Sequence, residues 1–189
     1  MHLLLVLAHP NRPSLNHFLA DQIRTTLQKQ GHVVELLDLY PLGFDPVLKR
    51  EELLRKGSFD PSVVQFAEKL SKIDGLIFIH PDWWGLPPAL LKGWVDRVLL
   101  PGVGYAYEEN GRVVPLLTHV RASVVVTRDK EGEGLSRQFW LEQVFPLCGI
   151  SPVKFYLLAG LKSPQGYEKK ETIEKKVANL LQDLYTFFR

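Results

Sequence analysis

The chain has 189 residues, of which 46% are hydrophobic and 23% charged, and it carries a net charge of +2. That length fits one domain with a full core, and the composition excludes a disordered polymer. So small a charge, spread over scattered lysines and arginines, leaves no footprint for nucleic acid or an anionic membrane surface.

A single cysteine, Cys148, excludes an intramolecular disulfide and a cysteine-based zinc site, which fits a reducing compartment. No apolar stretch nears the roughly 20 residues of a membrane-spanning helix. The chain also enters its first apolar run at once, without a basic leader. The expectation is a soluble, cytoplasmic protein with no membrane insertion.

In chain order, Leu3–Ala8 is a continuous apolar run, the pattern of a strand buried on both faces. From Ser14, residues Leu15, Phe18, Leu19, Ile23 and Leu27 recur at helical spacing until Gly31, predicting a helix capped by Ser14. Val33–Leu37 reads as a second strand, weakened by Glu35, and residues 39–60 as a long irregular connection. Pro61–Lys72 places Val64, Phe66, Ala67 and Leu70 on a helical face, and Leu76–Ile79 is the third strand. After Pro87, the stripe Leu90, Leu91, Trp94, Val95, Val98 and Leu99 predicts another helix.

Residues 101–116 hold Asn110-Gly111, a two-residue hairpin signal flanked by Tyr105, Tyr107, Val113 and Val114. Ala122–Thr127 and Val153–Leu158 are the last strands, separated by a helix over Leu135–Leu147. A terminal helix carries Ile173, Val177, Leu180, Leu181, Leu184 and Phe188. Only a short tip at Glu131–Gly134 is expected to be loose. Strand and helix alternate five times, which selects a single α/β domain over residues 1–189. It is a doubly wound parallel sheet of order 2-1-3-4-5, flavodoxin-like, with helices on both faces.

Such a sheet binds ligands beyond the carboxyl ends of its strands, where strand order reverses between the first and third. The first loop there, His9 to Asn16, has no glycine, which excludes the Gly-rich dinucleotide turn and the P-loop. Ser14 begins a helix, whose free N–H groups and partial positive charge can hold a phosphate, with His9 and Asn16 as side-chain partners. Plain helix capping by Ser14 is the alternative. The second loop, Pro81-Asp82-Trp83-Trp84-Gly85, carries two tryptophans that each bury roughly 150–250 Å² when covered. One is expected in the core, the other against a partner or a flat ligand. Cys148 reads as a small buried residue and His80 as a hydrogen-bonded structural histidine. His2, His17, His32 and His119 show no metal-ligand spacing.

The run Pro81-Asp82-Trp83-Trp84-Gly85-Leu86-Pro87-Pro88-Ala89-Leu90-Leu91-Lys92-Gly93-Trp94-Val95-Asp96-Arg97-Val98 resembles the hallmark of the NAD(P)H:quinone oxidoreductase family. Ala8-His9-Pro10 with Ser14 and Asn16 is similar to that family's first flavin-phosphate loop, and Gly104-Tyr105-Ala106-Tyr107 to the segment after its third helix. The likeness runs from residue 2 to about 127. It implies a flavin, FMN or FAD, reduced by NAD(P)H and reoxidised by a quinone or related acceptor in a homodimer. It further implies cofactor contacts at His9, Ser14, Leu15, Asn16, Pro81, Asp82, Trp83, Trp84, Gly85 and Thr127, and an acceptor pocket at Tyr105 and Tyr107.

For the tyrosines, a hairpin packed on its own domain is the plain alternative. Many relatives continue from the fourth strand with a Thr-Thr-Gly-Gly turn, then a tyrosine and a histidine. Here Thr127-Arg128-Asp129-Lys130 stands in its place, so no catalytic acid or base is assigned. Two other roles remain for such a chain, an ancillary subunit of a potassium efflux system and a flavodoxin-type electron carrier.

Overall fold

The computed structural model describes residues 1–132, 134–163 and 166–189; of the tip at Glu131–Gly134, Glu133 lies outside the described residues. Five strands form the central sheet: β1 (His2–Leu7), β2 (Val33–Asp38), β3 (Gly75–Pro81), β6 (Arg121–Thr127) and β7 (Val153–Leu158). Their order is β2-β1-β3-β6-β7, with every pair parallel. Counted along the sheet, that is the expected 2-1-3-4-5 arrangement.

Because successive side chains point to opposite faces of a strand, β1 feeds two cores at once. Leu4, Val6 and Ala8 pack under α3 (Pro61–Leu70), α4 (Ala89–Val98) and the helical segment 136–148. Leu3, Leu5 and Leu7 pack under α1 (Leu15–Lys29) and α7 (Lys170–Phe187). A continuous apolar run is what burial on both faces demands. Helix α3 buries Val63, Phe66 and Leu70, while Val64, expected on that face, is turned outward.

The insertion at residues 39–60 is less irregular than expected, since it contains α2 (Arg50–Arg55). It docks on α4 through Arg97, which is almost wholly buried. Arg97 donates to Glu52 Oε2 at 3.0 Å and Oε1 at 2.6 Å, to Asp60 at 3.1 Å, and to the Asp45 carbonyl at 2.6 Å. Beside it, Gly93 admits the insertion's backbone, because a Cβ there would lie 2.2 Å from the Pro46 carbonyl oxygen.

The hairpin β4 (Tyr105–Tyr107) and β5 (Val113–Pro115) forms as expected, with Tyr107 opposite Val113. Its loop is longer than two residues. The Glu108 N–H bonds the Arg112 carbonyl at 2.9 Å, which leaves Glu109, Asn110 and Gly111 between them. The helix expected over Leu135–Leu147 is a composite of α5 (Ser136–Gln138), a π-helical stretch at Phe139–Val144, and α6 (Phe145–Cys148). A small hairpin of β8 (Lys162–Ser163) and β9 (Gly166–Tyr167) precedes α7 and has no counterpart in the sequence reading.

Candidate functional site

The site begins where β1 hands over to α1. Ser14 is the N-cap in extended conformation, and its Oγ accepts the His17 backbone N–H at 3.3 Å. The first turn of α1 therefore points amides without intrahelical partners toward the strand ends. Behind it lies a polar chain. Ser14 Oγ is 2.8 Å from His17 Nδ1, His17 Nε2 is 3.2 Å from Asp38 Oδ2, and Arg12 donates to the same oxygen at 2.7 Å. Asn16, buried at 3% exposure, donates through Nδ2 to Thr127 Oγ1 at 2.9 Å and so ties the start of α1 to the end of β6.

The loop after β3 makes a tight reversal. Trp83 and Leu86 exchange backbone hydrogen bonds of 3.0 and 3.2 Å, and both central residues are left-handed, Trp84 at φ +59° and Gly85 at φ +87°. That is a type I′ turn, which Gly85 suits and which a bulky side chain at Trp84 does not. Asp82 holds it in place. Its Oδ1 accepts the Gly85 N–H at 2.7 Å, while Ser136 Oγ donates to the Gly85 carbonyl at 3.1 Å. The expectation that one tryptophan joins the core fails here, because Trp83 is 42% exposed and Trp84 is fully exposed. The turn leaves both rings out of the core, with the Trp83 ring 6.4 Å from that of His9.

Beneath the turn, His80 is wholly buried. Its Nδ1 lies 2.9 Å from the Pro81 carbonyl and its Nε2 accepts the Trp140 indole N–H at 3.0 Å, so the ring is neutral with its proton on Nδ1. Burial pushes its pKa from 6.5 down to about 4, against the opposing pull of the Pro81 carbonyl. His80 is the structural histidine expected, and it fixes the Pro81 peptide from below. Cys148 is buried too, which pushes its thiol up to about 11 and leaves it inert as a nucleophile.

These loops enclose a cleft of about 480 Å³ lined by His9, Leu15, Asn16, Pro81, Asp82, Trp83 and Thr127. Asp129, Leu161, Tyr167 and Ile173 complete its wall, and none of these four was expected as a cofactor contact from sequence. Asp82 and Asp129 are shared with a second hollow of about 590 Å³, lined also by Trp84, Gly85, Arg128, Lys130, Gly134 and Leu135. Arg128 leans back into the protein, donating to the Gly132 carbonyl at 3.2 Å and lying 3.9 Å from the Asp82 carboxylate.

Of the expected cofactor contacts, Ser14 caps the helix at the cleft's edge, and the other nine line one hollow or the other. Tyr105 and Tyr107 do not join them. They line a separate, mostly apolar groove of about 570 Å³ with Leu53, Leu99, Phe139 and Leu147, and share no lining residue with the cleft. Among the described residues, no cluster of metal-ligating side chains occurs, and no helix is long and apolar enough to cross a membrane.

Residues 1–184 match the family described as having a flavodoxin-like fold. An uncharacterized NAD(P)H oxidoreductase of Haemophilus influenzae is 32% identical over 185 residues, covering 92% of this chain and 91% of that protein. NAD(P)H dehydrogenase [quinone] 1 of Rattus norvegicus is 32% identical over 123 residues, covering 55% of this chain and 45% of its own length. Among solved structures, the NAD(P)H:quinone oxidoreductase of Methanothermobacter marburgensis superposes with a TM-score of 0.81. It shares 27% identity and is covered to 98%, over 99% of this chain. The sheet order, the strand-end cleft and these likenesses agree, and the chain belongs to the flavodoxin-like fold family, among the homologues of NAD(P)H:quinone oxidoreductases.

Proposed function

We propose that the protein is a flavin-dependent NAD(P)H oxidoreductase that reduces quinones or similar acceptors by two electrons. The observation that carries this reading is the convergence of His9, Leu15, Asn16, Pro81, Asp82, Trp83 and Thr127 on one strand-end cleft. Its volume falls within the range of about 300–1,000 Å³ usual for cofactor sites.

The donor set suits a flavin, FMN or FAD. A helix start offers N–H groups to an anion, the Asn16–Thr127 pair offers polar edges, and Pro81 with Trp83 offers flat apolar walls. A flavin held there would supply two-electron hydride chemistry between NAD(P)H and the acceptor. Ser14, Leu15 and Asn16 hold the phosphate, while Pro81 to Gly85 support and orient the ring. Trp84 presents a free aromatic face on which donor or acceptor stacks. Stacking brings the reacting atoms to about 3–3.5 Å, which contributes more here than a single acid or base. Tyr105 and Tyr107, facing their own groove, serve the acceptor side of the second subunit in a homodimer.

The test is spectroscopic. Protein reconstituted with FMN or FAD is expected to retain a yellow flavin spectrum through gel filtration, to bleach on anaerobic addition of NADPH or NADH, and to recolour with menadione. Failure to take up either flavin, or a bound flavin that neither nucleotide reduces, contradicts the assignment. Light scattering on the same column checks the homodimer.

A further inference from the structure

We propose that His17 is a positioning residue for the anion-holding start of α1, taking up a proton as the phosphate binds. The inference rests on the flavin reading above and concerns how the cofactor's phosphate is gripped.

The geometry is specific. His17 sits on the first turn of α1 with a side chain only 11% exposed, and both ring nitrogens are engaged. Nε2 faces the Asp38 carboxylate at 3.2 Å, so it carries a hydrogen whatever the ring's charge. Nδ1 faces Ser14 Oγ at 2.8 Å, and the direction of that bond depends on whether Nδ1 is protonated.

In the neutral ring, Nδ1 accepts from the Ser14 hydroxyl, which spends its only hydrogen inward and, with one lone pair already taken by the His17 N–H, has only a lone pair left for an incoming group. In the cationic ring, Nδ1–H donates to Oγ, and the hydroxyl hydrogen is released to bond an incoming oxyanion. Proton uptake at His17 and phosphate binding at Ser14 therefore reinforce each other.

The charged and titratable groups around the ring fit this coupling. Asp38 comes from the end of β2, with its Oδ1 buried and without a hydrogen-bond partner among the described residues. Arg12, from the loop before α1, shares Asp38 Oδ2 at 2.7 Å. The His9 ring stands edge-on at 6.1 Å.

The experiment follows quenching of flavin fluorescence from about pH 6.5 to about 8.5, where a phosphomonoester with its second pKa near 6 is already mostly dianionic. FMN is expected to bind the native protein at least roughly tenfold more weakly at the alkaline end, since one linked proton changes affinity by up to about tenfold per pH unit. Riboflavin, which lacks the phosphate, is expected to show no such trend, and His17→Gln to flatten the FMN profile. Calorimetry of FMN binding to the native protein, in buffers of different ionisation enthalpy near neutral pH, is expected to show proton uptake. That reading holds even if the variant does not fold. A flat FMN profile with no proton uptake overturns this proposal while leaving the flavin reading intact, and so does a slope that persists in His17→Gln. If FMN and FAD fail to bind at any pH, both fall together.

Discussion

Trp84 stands fully exposed on a left-handed backbone, a combination that costs of order 1–3 kcal/mol and that no packing among the described residues repays. A residue kept for stability would show the opposite features. Trp84→Gly is therefore expected to leave the melting temperature unchanged or slightly higher while raising KM for NAD(P)H or the quinone several-fold. A fall in stability would mark the ring as structural. Asp82 acts through the turn. Removing its carboxylate in Asp82→Ala orphans the Gly85 N–H, which is expected to cost about 1–3 kcal/mol in urea denaturation and to weaken turnover, with Asp82→Asn recovering most of both.

His80 gives a pH signature at the same scale. Its folded pKa is about 4 against an ordinary 6.5, so the unfolded chain binds more protons between those values. Stability is expected to fall as pH drops from about 6.5 to about 4, and His80→Gln to remove that part of the slope in urea midpoints measured against pH.

The first two loops of the site were legible because their chemistry is local. Ser14 before a helical stripe announces a cap, and two tryptophans beside a glycine announce a ligand-facing loop, although not that both rings stay out of the core. Leu161 and Tyr167 were not legible, since no spacing marks them, while Ile173 reads only as part of the terminal helix's apolar stripe and Asp129 only as part of the divergent loop after β6. They reach the cleft only because the loop after β6 and the crossover from β7 to α7 return to the same strand ends.

The element that sequence reading most underestimated is the insertion at residues 39–60. Its clamp explains physically why Gly93 and Arg97 stand where they do. Gly93 lets the Pro46 backbone approach α4, and Arg97 bridges three segments of the insertion from inside the protein. Arg97→Leu leaves Glu52 buried without its counter-charge and is expected to cost about 3–5 kcal/mol by chemical denaturation. The Arg97 guanidinium pulls the Glu52 carboxyl from 4.5 down to about 2. That contribution is present above about pH 4.5 and is lost as pH falls toward 2, mostly below the window set by His80. In Glu52→Gln the acid end of the stability curve is expected to flatten while the His80 step persists. The composite helix at 136–148 escaped sequence reading for a different reason. Its apolar spacing is helical, and only the backbone shows the wider π turn before Pro146.

For the whole molecule, periodicity carried the architecture. Strands buried on both faces must be apolar at every position, and amphipathic helices must cover them, so the order of runs along the chain dictates a doubly wound sheet. That order places the reversal between β1 and β3 and with it the cleft. What periodicity could not convey is which groove each tyrosine faces, because Tyr105 and Tyr107 share theirs with α4 and the helical segment 136–148 rather than with the strand ends.

A crystal structure of the protein soaked with excess flavin tests the central claim most directly. The ring is expected against Pro81 and Trp83 with the phosphate over the first turn of α1, between Ser14 and Asn16. Density confined to the Tyr105 groove, or a strand-end cleft that stays empty while flavin is present in excess, would contradict it.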